Sequence, residues 1–324
     1  MTACLFNLII YTNNQQRAEF FHEIINILIT KFPCRVIFIE IDDTQTTENP
    51  EISKYCVNDR CEQIKIRTSL ANLNRVPYIV LASLAPDLPV YLIWGQNPKI
   101  PNPILPDLMK LATRMIYDSE CSDDLKEFSE HILSNLKTDK IDFMDIDWAL
   151  IRGWRDVIAK TFDSADKLEI LKRCTSIKIY YNEIPSVFVR HNSNRAYYLQ
   201  GWIAAQMGWK FLSLDKSKTL TYQNGNLKTA VNLEQIHHSE TPPGTLVKII
   251  FATEQREEIV MSKIKDQSMV LVHITCGDKC ELPFSFRLPN FQRGLSFIKE
   301  IFYFRSSDHY KNMLEVLQKI DWKD

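Results

Sequence analysis

Apolar and polar positions switch period several times along residues 1–141. Cys4 to Tyr11 is a nearly continuous β-type run, and Gln15 to Lys31 then sets Phe21, Ile24, Ile25, Leu28 and Ile29 on one helical stripe. Arg35 to Asp42 is a second run rich in β-branched residues, so the β-α-β order predicts parallel strands under a covering helix. Glu62 to Arg67 reads as another strand, paired with the stretch near Tyr55 to Val57. Asn72 to Leu84 reads as a helix with Pro77 in its first turn. A strand from Leu88 to Trp94, a helix from Pro103 to Thr113, a strand from Arg114 to Asp118 and an amphipathic helix from Leu125 to Leu136 complete the pattern. The prediction is an N-terminal α/β domain over 1–141, a mostly parallel sheet of about five strands with covering helices.

Lys137 to Asp142 is polar and reads as a connector to a second domain over 142–324. That domain opens with one long helix, Asp145 to Phe162, carrying Trp148, Ile151, Trp154, Val157 and Ile158. Strand signals follow at Ser176–Tyr181, Lys210–Leu214, Lys218–Tyr222, Lys228–Leu233, Thr245–Thr253, Glu258–Ile264, Met269–Thr275 and Leu282–Leu288. A helix from Asn194 to Met207 interrupts them, and a helical end begins at Arg293. Many short strands between turn signals such as Asn224-Gly225 and Pro242-Pro243-Gly244 predict an α+β domain with a mixed or antiparallel sheet and helices on one face.

Charge removes several classes of partner. With 39 basic and 40 acidic residues the net charge is −1, so no global field draws the chain to nucleic acid or to an anionic membrane. Met1 to Tyr11 lacks a basic leader and reads as a buried strand, not a signal peptide, and no apolar run is long enough to span a bilayer. The eight cysteines are scattered, which fits reduced thiols in the cytoplasm. None of the eight glycines builds a phosphate-cradling loop, so a Walker loop and a dinucleotide fingerprint are both missing and no cofactor is expected. Thr12 to Gln16, in the first β-α turn, could offer helix-N-terminal amides to an anion, but such polar turns are commonly plain connectors and it is read as one.

Candidate chemistry is sparse. His273, Cys276 and Cys280 offer three soft ligands without a fourth, so the expectation is a metal-free hairpin turning at Gly277-Asp278-Lys279, its two cysteines facing each other as thiols. Neighbouring acids such as Asp123-Asp124 suit a helix first turn, and no G-x-S-x-G elbow occurs. No residue is expected to be catalytic.

What remains is a set of bulky and charged residues of the kind that anchors interfaces: Asp87-Leu88-Pro89-Val90 leading to Trp94, then Tyr117-Asp118-Ser119, then Asp147-Trp148 with Trp154-Arg155. The bland reading is that part of this set is core, and that Asp147 caps a helix or pairs with an arginine.

On these residues the chain resembles the OpcA family, the glucose-6-phosphate dehydrogenase assembly proteins. The family's D-L-P-V turn into a tryptophan strand is matched by Asp87 to Trp94, its strand ending in aspartate and serine by Arg114 to Ser119, and its tryptophan-arginine helix by Asp145, Trp148, Trp154 and Arg155. Members often carry a doubled tryptophan where this chain has Trp94-Gly95. The resemblance implies a non-catalytic effector that binds and activates glucose-6-phosphate dehydrogenase in the oxidative pentose phosphate pathway, with Asp87, Pro89, Trp94, Asp118, Ser119, Trp148, Trp154 and Arg155 as candidate contact or motif residues. The competing reading is a sugar-phosphate- or nucleotide-binding enzyme or sensor, because open α/β sheets hold ligands at strand C-termini. A third is a redox-responsive adaptor using Cys276 and Cys280.

Overall fold

A computed structural model describes residues 4–42, 49–57, 61–138, 141–265, 267–288 and 307–321. Its chain divides into two compact units, the first comprising Met1–Asp123, Ser134–Ile146 and Arg293–Ser306, the second Asp124–Leu133, Asp147–Gln292 and Ser307–Asp324.

In the first unit β1 (Asn7–Thr12) feeds α1 (Gln15–Lys31), which returns to β2 (Arg35–Ile41). Asn14 caps α1, its Oδ1 accepting the Arg17 amide at 3.1 Å, and the predicted stripe of Phe21, Ile24, Ile25, Leu28 and Ile29 is buried. An antiparallel pair follows, β3 (Glu51–Val57) and β4 (Cys61–Thr68). Next come α2 (Val76–Ser83), with Pro77 in its first turn as predicted, β5 (Val90–Gly95), α3 (Leu105–Leu111), β6 (Arg114–Tyr117) and α4 (Leu125–Thr138), whose residues up to Leu133 are counted in the second unit. The order across the sheet is β3-β4-β2-β1-β5-β6-β7, where β7 is Asp142–Asp145. Every neighbouring pair is parallel except β3 with β4. Every residue of β1 and β5 is buried, which is why these strands read as continuous apolar runs and not as alternating ones. The sheet is wider than the predicted five strands. The polar stretch expected to be a connector ends in β7, whose Phe143 and Met144 are buried; four residues are too few to show a period.

The long helix expected from Asp145 to Phe162 is broken. Asp145 still belongs to β7, α5 spans Ile146–Leu150 and α6 spans Arg152–Thr161, with Ile151 at φ −85°, ψ 0° between them. Gly153 in the first turn of α6 weakens helical continuity, and the Asp145 carboxylate is engaged as a strand end.

The second unit continues with α7 (Ala165–Lys172), absent from the sequence reading, then β8 (Cys174–Asn182) and α8 (Asn194–Gln206). Strands β9 (Lys210–Leu214), β10 (Leu220–Asn224), β11 (Leu227–Ile236), β12 (Leu246–Thr253), β13 (Glu257–Lys263), β14 (Met269–Cys276), β15 (Lys279–Cys280) and β16 (Phe284–Arg287) build the sheet, ordered β15-β14-β13-β12-β8-β11-β10-β9 with β16 against β14. The mixed character comes from β8, which lies parallel to β11 and antiparallel to β12. Burial alternates along the strands: Ile177, Ile179, Ile249, Phe251, Ile259 and Met261 are buried, whereas Lys178, Glu258 and His273 are exposed. One face therefore carries the core. Gly201 in α8 admits the final helix closely, since a Cβ there would lie 3.0 Å from Leu317 Cδ2. That helix is α9 (Asp308–Leu317); the helical start expected at Arg293 lies outside the described residues. Among the described residues no helix is long and apolar enough to cross a membrane.

Candidate functional site

The first cluster of motif residues forms around strand C-termini in the first unit. Register pairs Tyr11 of β1 with Trp94 of β5, and their rings stack at 4.2 Å and 12°. Asn102 then donates to Tyr11 Oη at 2.7 Å and to Gln96 Oε1 at 2.9 Å. Beside Trp94, a Cβ on Gly95 would meet Phe21 Cε2 at 2.6 Å and the Tyr11 carbonyl at 3.0 Å, so the phenyl ring of α1 occupies the space a side chain would need. Asp118 follows β6 and is fully buried, with Arg17 of α1 donating Nε to its Oδ2 at 2.7 Å and holding Nη2 in ion-pair contact with the same oxygen at 2.5 Å. Burial works against the guanidinium charge, but the Asp118 carboxylate together with Cys121 and Glu120 outweighs that and holds the Arg17 pKa above its ordinary value. Ser119 is tied to β7: its amide donates to Asp145 Oδ2 at 2.8 Å and its hydroxyl to Oδ1 at 3.2 Å. Burial first, and the Asp118 carboxylate second, push the Cys121 thiol well up, so it stays protonated and unreactive at neutral pH.

Asp87 and Pro89 are exposed on the turn into β5. Asp87 has φ 61°, a left-handed conformation that a short polar side chain tolerates better than most.

In the second unit the aromatic residues are core. Trp148 and Trp154 are each 1% exposed. Arg155 is half-buried, its guanidinium 3.4 Å from the Trp148 ring centroid and its Nη2 donating to the Trp148 carbonyl at 3.3 Å. Tyr310 covers the same indole at 5.4 Å. Asp147 pairs with an arginine as the bland reading had it, accepting from Arg195 Nε at 2.9 Å.

His273, Cys276 and Cys280 do not converge. The hairpin is present, β14 turning at Gly277 into β15, but the register sets Cys276 opposite Lys279 and Cys280 opposite Thr275. The two thiols therefore point to opposite faces and do not face each other. No group of three or more potential metal ligands occurs among the described residues. Sequence reading also missed a cleft of about 510 Å³ in the first unit, where His22, Glu40, Lys65 and Arg67 meet from three elements. Their spacing of 18, 25 and 2 along the chain carries no motif.

The first sheet has the strand order of a doubly wound dinucleotide-binding fold with one added antiparallel edge strand. Solved structures with the same architecture include levoglucosan dehydrogenase, at TM-score 0.56 and 11% identity with 98% of this chain and 96% of that one covered. The 3-ketoreductase KijD10 of Actinomadura kijaniata matches at TM-score 0.55 and 10% identity, covering 98% and 97%. By architecture, then, this is a two-unit protein with a doubly wound α/β sheet in the first unit and a mixed sheet in the second. The family model described as glucose-6-phosphate dehydrogenase subunit N-terminal domain matches residues 26–133, its C-terminal counterpart matches 141–314, and the chain belongs to the OpcA family. Relatives provisionally named OxPP cycle protein OpcA occur in Synechococcus elongatus, 26% identical over 200 residues, and Nostoc punctiforme, 24% identical over 193. The matches cover 58% and 57% of this chain but 42% and 40% of those proteins, less than half their length.

Proposed function

We propose that the chain is a non-catalytic cytoplasmic effector that binds glucose-6-phosphate dehydrogenase and promotes its assembly and activity. The observation that carries the reading is the ordered match of both assembly-family domains across residues 26–314. The geometry supports it from another side. In the first β-α turn the Asn14 amide donates to Thr12 Oγ1 at 3.2 Å and the Arg17 amide to Asn14 Oδ1, so amides that a glycine-rich turn would present to a pyrophosphate are used by the chain itself. A dehydrogenase-like architecture without that cradle suits a protein that acts through another enzyme.

The motif residues divide by exposure. Trp94, Asp118, Ser119, Trp148 and Trp154 are buried and act on any partner through the scaffold, which leaves Asp87, Pro89 and Arg155 as the candidates for direct contact. The test mixes this protein with its cognate dehydrogenase and follows co-elution and KM with and without glucose 6-phosphate, then repeats with Asp87→Asn and Arg155→Ala. Asparagine keeps the left-handed turn tolerable while removing the charge. Truncating a desolvated interfacial charge costs about 2–5 kcal/mol of affinity. Wild-type protein that neither co-elutes nor changes the kinetics well above micromolar concentration ends the reading. The competing enzyme or sensor reading, which rests on open α/β sheets holding ligands at strand C-termini, predicts turnover of a small substrate by the isolated chain.

A further inference from the structure

The cleft of the first unit lies at the C-terminal ends of β1, β2 and β4, where open α/β sheets take their ligands. Its volume of about 510 Å³ falls within the roughly 300–1,000 Å³ of small-molecule sites. Apart from Ala18 and Ile41 its lining is polar or charged, which offers little for an aromatic or aliphatic ligand to bury.

Glu40 is the best-built group in it. Oε1 accepts from His22 Nε2 at 3.0 Å and Oε2 from Lys65 Nζ at 2.7 Å, while the imidazole is fixed by stacking on Phe38 at 4.3 Å and 11°. Each carboxylate oxygen has about two acceptor directions, so each keeps capacity for one more donor beyond the bond it already makes. Burial disfavours the charge, but the hydrogen bonds from His22 and Lys65 overcome it and the carboxyl ionises below its ordinary value. Across the cleft Arg67 is half-exposed and holds Asp42 only at 4.0 Å, leaving guanidinium donors to turn toward a ligand oxygen. Glu19, Glu40 and Asp42 against Lys65 and Arg67 leave the lining close to charge balance, which selects a neutral polar group over a strong anion.

We propose that this cleft binds the vicinal diol of a sugar ring, with Glu40 accepting from two adjacent hydroxyls and Arg67 donating to a ring or hydroxyl oxygen. None of the motif residues assigned to partner contact lines the cleft, and the proposal stands or falls without the dehydrogenase.

A free sugar and the ribose of a nucleoside share this chemistry, and calorimetry on the full chain separates them with glucose, methyl riboside and adenosine, each beside its 2-deoxy counterpart. Saturable binding of at least one diol is expected, weakened about tenfold or more in the deoxy partner and by Glu40→Gln, as loss of a charge-assisted hydrogen bond requires. Binding of glucose alone assigns a sugar site, and binding of adenosine or the riboside assigns a ribose site. Arg67→Ala, at a half-exposed position, is expected to weaken binding and to keep the wild-type unfolding midpoint. No saturable binding of any probe up to roughly 10 mM, or equal affinity for diol and deoxy forms on the wild-type protein, overturns the proposal, and the second comparison needs no variant to fold.

Discussion

Replacing Asp118 by alanine removes the carboxylate that neutralises Arg17 inside the first unit. The arginine side chain is 3% exposed, and its Nε and Nη2 lie 2.7 and 2.5 Å from one carboxylate oxygen, Oδ2. Its guanidinium also lies 3.9 Å from the Phe20 ring centroid, so no solvent path opens to it on that side. Leaving a buried charge without its partner costs about 3–5 kcal/mol. At about 2–4 °C per kcal/mol for domains of this size, Tm is expected to fall by roughly 6–20 °C. Scanning calorimetry measures the fall, and hydrogen exchange of the peptide spanning residues 114–122 localises it to the first unit. The double variant Arg17→Met with Asp118→Leu removes both charges and is expected to recover most of the loss, since an apolar pair of similar volume often matches a buried ion pair. A single variant within about 1 kcal/mol of wild type, or a double variant no more stable than the single, refutes the reasoning.

Three further outcomes follow from the geometry. Because the Glu40 carboxyl ionises below its ordinary value of about 4.3, its stabilisation is complete above that pH and lost as pH falls through the lower folded value. Urea midpoints of wild type and Glu40→Gln should therefore converge on acidification, and a gap independent of pH would contradict this. Titration with NADP followed by tryptophan fluorescence and calorimetry should show no micromolar binding, since the Asn14 and Arg17 amides of the first turn are already engaged and no glycine-rich loop replaces them. Elemental analysis of protein prepared without chelator should find no stoichiometric zinc, because Cys276 and Cys280 project from opposite faces of their hairpin; one zinc per chain would overturn that.

The period of the sequence was enough to place most of the fold. Helix α1 begins at Gln15 and ends at Lys31, as its stripe predicted, and the strand runs of the second unit all correspond to strands. Features that depend on long-range partners were not legible. Strand β7 exists because Asp142 to Asp145 pairs with Arg114 to Tyr117, a relation no window of local sequence contains. Nor does a helical wheel reveal that Asp145 is held by Ser119, which takes it out of the helix expected to start there and separates Trp148 from Trp154 into α5 and α6. Among the candidate contact residues, sequence named the types that anchor interfaces, but those same large aromatic and paired charged groups also build cores. Only their exposure distinguishes Asp87 from Asp118.

Gly95 and Phe21 have an evolutionary consequence. The ring sits where a side chain at position 95 would have to go, 2.6 Å from an ideal Cβ there, so a side chain at 95 requires the Phe21 ring to shift or to change with it. In relatives where a second tryptophan follows the first, the residue aligned with Phe21 should be small, or α1 should ride further from the sheet. An alignment deep enough to show covariation would reveal these positions as a coupled pair, separated by 74 residues in sequence and by less than one atomic diameter in space. Exchanging the glycine for a larger residue without a change at Phe21 would create a clash, and shrinking Phe21 alone a cavity, so either single step draws on spare stability.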